Sequence, residues 1–163
     1  MSDDHVKTIL EQWRTERPDL DASPMGVFGR LLRLHKHAQQ QLEVNFKRHG
    51  LTGGTFDLLA TLRRNGEPFT LNPTQLQNEM MLTSGATTHR IDLLEKRGLI
   101  ERLPDPDDRR GTLVRLTEAG KALVDEAVVT HVELEHELLS GLTEEQRREL
   151  AMLLGTLAEK FGL

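Results

Sequence analysis

Thirty-eight residues, 83–120, limit this chain more than any others: TSGATTHRIDLLEKRGLIERLPDPDDRRGTLVRLTEAG. A capped amphipathic run comes first. Two short β-rich runs follow, Leu99 to Leu103 and Thr112 to Leu116, around a charged, proline-rich tip at residues 104–111. Thr117 then caps another helix. This order predicts a helix, a β-hairpin with a long loop, and a second helix. A helix followed at once by a two-stranded wing suits double-stranded DNA: the helix fits the major groove, and arginines on the wing reach the minor groove.

Composition sets the surroundings. The chain has 163 residues, enough for one domain with a real core. Aromatics are only 4% and Tyr is absent, so Leu, Val and Ala must carry the packing, which favours helices. No apolar run approaches the roughly 20 residues of a membrane span, and the start MSDDHVKT is acidic, unlike a signal peptide, so a cytoplasmic protein is expected. Cysteine is absent, which excludes disulfides, zinc–thiolate sites and thiol redox sensing. The net charge of −5 argues mildly against nucleic acid, but its distribution matters more. Residues 84–115 hold seven Lys/Arg against six Asp/Glu, whereas residues 117–163 hold four against ten. DNA binding therefore rests on the motif rather than on a broad basic face.

Along the chain, residues 3–15 read as a short helix with Ile9, Leu10 and Trp13, ended by Arg17-Pro18. Ser23-Pro24 reads as cap and first turn of a long helix whose apolar positions are Val27, Leu31, Leu34, Ala38, Leu42 and Phe46, stopped at Gly50. Helices are expected over residues 55–64, from Asn72-Pro73 to about 80, and from about 84 to 97. After the hairpin come a helix from Thr117 to about 139 and a last one opened by a Thr143/Gln146 capping box. The expected fold is mainly α with a small β-hairpin wing, in the order α-α-α-α-α-β-β-α-α. One domain, 1–163, is expected, with residues 51–116 as the winged helix-turn-helix and residues 1–50 and 117–163 as flanking helices.

In a winged helix-turn-helix the second helix of the pair offers its N-terminal half to base edges. Here that half carries Ser84, Gly85, Ala86, Thr87, Thr88, His89 and Arg90. Gly85 permits close backbone approach, the hydroxyls can bond phosphates or bases, and the N–H groups of a helix start favour an anion. Arg109 and Arg110 stand at the tip, where arginine suits a narrow minor groove, and Asp107 or Asp108 is placed to hold one of them in a bidentate pair.

The run Asp105-Pro106-Asp107-Asp108-Arg109-Arg110, followed by Leu113-Val114-Arg115-Leu116-Thr117-Glu118-Ala119-Gly120, resembles the wing signature of MarR-type transcriptional regulators. The resemblance extends over nearly the whole chain. It implies a homodimer whose N- and C-terminal helices intertwine, with two wings straddling a pseudo-palindromic operator. It also implies repression relieved by a small, often anionic, effector, with no cofactor and no membrane partner. The urate-responsive, PecS-like branch of this family is similar in finer detail: an extra N-terminal helix with a tryptophan, an aspartate before the DNA-reading pair, and two arginines twelve residues apart. The matching positions here are Trp13, Asp57, Arg90 and Arg102, and the resemblance implies that they bind the ligand. Two guanidinium groups can hold a planar anion, and an indole can stack on it. Asp57 is expected to pair with an arginine when the site is empty, so a bound anion would compete with it and move the helix carrying Arg90.

Simpler readings stand beside these. Trp13 can anchor a dimer core, Asp57 and Arg90 can be a structural ion pair, and Arg90 can serve DNA instead of ligand. A winged helix used only for protein–protein dimerisation, without DNA binding, is the alternative function that the acidity favours. Enzyme readings fare poorly. His35 and His37 are two apart on a helix and His131 and His136 five apart, neither suited to a helical metal pair. No phosphate loop or nucleophile motif appears, so neither metal nor catalytic residues are expected.

Overall fold

The computed structural model describes residues 4–81, 87–108 and 110–162. They form α1 (His5–Glu16), α2 (Ser23–Arg48), α3 (Gly53–Arg64), β1 (Thr70–Leu71), α4 (Pro73–Glu79), α5 (Thr87–Lys96), β2 (Ile100–Pro104), β3 (Thr112–Leu116), α6 (Glu118–Leu138) and α7 (Glu144–Glu159). The chain divides into two compact units, residues 1–41 and 42–163, with the boundary inside α2.

The first unit holds α1 and α2 as far as Gln41. Asp4 caps α1 by accepting from the Val6 N–H at 3.2 Å, and its carboxylate also meets Arg30 on α2. Val6, the buried residue of α1, packs over Gly29, and Leu10 over Gly26. The expected serine cap of α2 is displaced by one turn position. Ser23 is already helical, and its N–H goes to the Asp21 carboxylate at 2.9 Å. Aspartate at this spacing competes well for the same orphan donor. Val27 and Leu34, two of the recurring apolar positions of this helix, are 57% and 64% exposed in the single chain.

The second unit is built around α3. Thr52 and Thr55 close a reciprocal capping box, and the Glu43 side chain accepts from the Gly53 N–H at 3.3 Å. Leu58, Leu59 and Leu62 of α3 are fully buried with Leu76 of α4, Leu94 of α5, Val114 of β3 and Val124 of α6. Phe46 from the end of α2 stacks on Phe56, ring centroids 4.5 Å apart, and His131 of α6 stacks on Phe46 and packs at a tilt against Phe56. The helix-turn-helix pair therefore sits on one continuous core with the wing behind it.

The sheet has three antiparallel strands in the order β1-β3-β2, not the two expected. β1 is only two residues, Thr70 and Leu71, paired with Arg115 and Val114. It lies between Pro68 and the Asn72/Gln75 capping box of α4, too short to show a period. The hairpin itself is as expected, with Glu101 opposite Arg115 and Arg102 opposite Val114. Its base is tied to α6: Thr117 caps the helix, its hydroxyl donates to the Gly98 carbonyl at 2.8 Å, and its N–H goes to the Leu99 carbonyl at 3.1 Å. Gly120 completes this junction, since a Cβ there would stand 2.0 Å from the Leu99 carbonyl oxygen.

α7 differs from every other element of this unit. Its Thr143/Gln146 capping box forms as expected, yet none of its residues is buried. Met152, Leu153 and Leu154 lie exposed on it, followed by Phe161.

Candidate nucleic-acid interface

α5 begins its described course at Thr87. Thr88 and His89 are exposed, whereas Thr87 and Arg90 are half-buried. Ile91 and Leu94 fix the helix to the core, which leaves its first turn at the surface. Ser84 and Gly85, expected to contact DNA, lie outside the described residues, as does Arg109.

The wing tip is shaped by aspartates bonded to backbone. Asp105 accepts from the Asp107 N–H and Asp108 from the Arg110 N–H, both at 2.9 Å, while the Gly111 N–H closes onto the Asp108 carbonyl at 2.8 Å. Asp108 thus holds the main chain of Arg110 and shapes the turn. Arg110 is exposed, and no ion pair engages its guanidinium among the described residues. An arginine on a tight, self-bonded turn costs little to present to phosphate or a narrow groove.

Within the second unit, the residues matched to a ligand site fall into two places. Asp57 is buried on α3, and its carboxylate accepts from the backbone N–H of Met81, at the exit of α4, at 3.4 Å. Arg90 reaches the same stretch of α3 from α5: a Cβ added at Gly54 would stand 2.4 Å from its Nε. Gly54 and Asp57 are three apart and share a helix face, so Asp57 and Arg90 both serve the boundary between α3 and the helix-turn-helix pair. Arg102 is held elsewhere. It projects from β2 onto α5, where its guanidinium binds Asp92 at 2.5 Å and also meets Glu95. The hydrogen bond that Arg102 donates to Asp92 leads in raising the Arg102 pKa, desolvation opposes it, and the charge of Glu95 adds to the rise. Trp13 belongs to the first unit, on α1, 38% exposed beside an open depression bordered by Gln12 and Glu16.

Sequence reasoning missed Asp92 and Glu95 as the partners of Arg102. Their spacing of three on a helix, with an arginine in the next strand, was the available signal. On the opposite face of the wing, Arg115 pairs with its cross-strand neighbour Glu101 at 2.8 Å.

Among the described residues no group of His, Asp or Glu is gathered to hold a metal, and no helix is long and apolar enough to cross a membrane.

Comparisons with known proteins agree with this geometry. The MarR family model matches residues 51–112, the stretch from α3 into the wing. The HTH-type transcriptional regulator PecS of Dickeya dadantii is 42% identical over 150 residues, covering 92% of this chain and 90% of that protein. The multiple antibiotic resistance protein MarR of Escherichia coli is 32% identical over 105 residues, 64% of this chain and 71% of that one. Among solved structures, an E. coli MarR mutant complexed with operator DNA superposes with a TM-score of 0.70 at 26% identity, covering 89% of this chain and 96% of that one. Sco3205 of Streptomyces coelicolor, also solved with DNA, shares the fold with a TM-score of 0.77 at 24% identity over 86% of this chain and 89% of that one. These relatives are transcriptional regulators, not enzymes. A winged helix-turn-helix that exposes the start of α5 and an arginine-bearing wing, joined to this degree of identity, places the chain in the MarR family of DNA-binding transcriptional regulators.

Proposed function

We propose that this regulator is a homodimeric repressor that leaves its operator when a small anion binds near Asp57 and Arg90. The observation that carries the reading is the position of Asp57. Its buried carboxylate holds the Met81 N–H where the chain leaves α4 for α5. Arg90 lies on the neighbouring turn of α3 and belongs to α5 itself. An anion attracted by Arg90 would be repelled by Asp57, and relief of that repulsion acts on the linkage between the two DNA-reading helices. Ligand and operator then oppose each other reciprocally. DNA contacts are assigned to Ser84, Gly85, Thr87, Thr88, His89 and Arg90 at the helix and to Asp108, Arg109 and Arg110 at the wing. Trp13 and Arg102 complete the ligand set. Arg102 enters only by exchanging an anion for Asp92 and Glu95.

Two further features support the proposal. Among the described residues, apolar side chains of α7 and of the first half of α2 lie exposed, which suits a second copy. The fold is also shared with an organohalide-sensing regulator solved with 2,4-dichlorophenol bound, at a TM-score of 0.76. The dimerisation-only alternative is not favoured, because the relatives are DNA-binding regulators.

Urate is the probe for the effector site. It is expected to quench the fluorescence of Trp13, the only tryptophan, and to release the operator over the same concentration range. Arg90→Ala and Arg102→Ala should weaken both effects. Operator release that persists unchanged in both variants removes the ligand assignment, while leaving the DNA-binding role intact.

A further inference from the structure

Arg102 makes a bond that neither DNA contact nor ligand binding requires. β2 begins four residues after α5 ends, so the chain itself already places the base of the wing against the helix. Ile100 is buried there, and Arg102, two residues on, points from the same face of the strand. Its Nη2 takes Asp92 Oδ1 and its Nη1 takes Glu95 Oε2. Asp92 and Glu95 stand on successive turns of α5, so one rigid guanidinium spans them and fixes both the rotation and the axial position of the helix. Two residues further along, Pro104 ends the strand and the tip begins.

We infer that Arg102 is a positioning residue for DNA recognition: by gripping Asp92 and Glu95 together it locks the wing to α5, so that the wing tip and the helix start meet the duplex at one fixed separation. The inference rests on the reading that both α5 and the wing engage DNA. It goes beyond that reading because it gives two carboxylates on the recognition helix a favourable role in binding a polyanion. Asp92, Glu95 and Arg102 are each only partly buried, at 48%, 39% and 31% exposure. The clamp is therefore accessible to competing anions, and its effect is a matter of a few-fold rather than of folding.

The test is operator affinity of the full-length chain for a duplex that it selects from a random library. The variants are Arg102→Gln, Arg102→Lys, the pair Asp92→Asn with Glu95→Gln, and all three neutralising changes together. Removing two negative charges beside DNA strengthens binding if electrostatics alone acts. The clamp demands the opposite sign. The carboxylate pair and Arg102→Gln should each weaken binding by about two- to five-fold, the range set by partly exposed ion pairs. The triple variant should be no weaker than either, because one interaction is lost in each case. Arg102→Lys should recover most of the affinity, and the salt dependence should stay that of wild type, since no phosphate contact is removed. Tighter binding by the carboxylate pair overturns the clamp. So does a shallower salt dependence in Arg102→Gln, which would make Arg102 a phosphate contact. A wild-type chain that selects no duplex defeats the DNA reading and the clamp with it. That outcome differs from failure of the clamp alone, in which wild type binds and every variant matches it.

Discussion

The winged unit around α3 and the terminal helix α7 are made from similar residues and behave in opposite ways. Around α3, Leu58, Leu59, Leu62, Leu76 and Leu94 are completely buried by elements of the same chain. On α7, Met152, Leu153, Leu154 and Leu157 lie exposed, with no buried residue on the helix. Leucine at helical spacing is equally frequent in both. The difference is that α3 is covered by α4, α5, the sheet and α6, whereas α7 has no buried residue among the described residues. The winged part thus holds itself in shape and can present α5 and the wing as a rigid surface. In the proposed homodimer, helix α7 meets a second copy, and dimerisation would set the spacing between two such surfaces.

The largest expected effects separate these regions directly. Leu59→Ala leaves a cavity in the sealed core and should cost about 2–5 kcal/mol of folding stability, read by denaturant unfolding. The same truncation at Leu153 should lower stability only at protein concentrations where the dimer is populated. Equal, concentration-independent losses at both sites would erase the distinction. Next in size, Met152→Glu with Leu153→Glu should yield a folded monomer in sedimentation, because charges at the centre of an apolar interface are poorly tolerated. A dimer that survives both changes moves the interface away from α7.

A smaller effect is expected inside the winged unit. Gly54→Ala puts a methyl group where the Arg90 side chain lies. The guanidinium must shift, so operator affinity should change by several-fold while thermal stability falls by no more than about 1 kcal/mol. Unchanged DNA and urate binding would mean that the seat of Arg90 on α3 does not matter.

The smallest effect concerns pH in the first unit. The Arg30 hydrogen bond leads the causes that lower the Asp4 carboxyl pKa from 3.8. A lowered folded-state pKa gives a contribution present above the unfolded value and lost as pH falls through the folded one. The protection of the α1 amides, taken relative to their intrinsic exchange rate, should therefore fall on acidification below about pH 4, and Asp4→Asn should remove that dependence. An identical pH response in Asp4→Asn would assign it to other groups.

Much of this arrangement was legible in the sequence because capping chemistry is local. Asn72 with Pro73, Thr117 and Thr143 with Gln146 each mark a helix start that the structure keeps. The hairpin was legible for the same reason, being two β-rich runs around a tip that breaks other structure. β1 was not, since two residues carry no periodicity and their pairing with β3 is set by the distant chain. Ser23 was misread because Asp21, two residues earlier, takes its N–H. Val27 and Leu34 show the limit of hydrophobic spacing: it reveals an apolar face but not whether the same chain covers it. At the candidate site, residue types could be matched from sequence, but partners could not. Arg102 was matched with Asp57 and Arg90, and its ion-pair partners in the fold, Asp92 and Glu95, were not read from the sequence.

The central claim is that a self-supporting winged unit holds DNA through α5 and the wing tip. It is tested most directly by operator affinity measured across a salt series for wild type and Arg110→Ala. Wild type should show log affinity falling steeply and linearly with log salt. Arg110→Ala should bind at least several-fold more weakly, with a slope shallower by about one for each wing that loses its phosphate contact. Equal affinities and equal slopes for the two proteins would contradict the account.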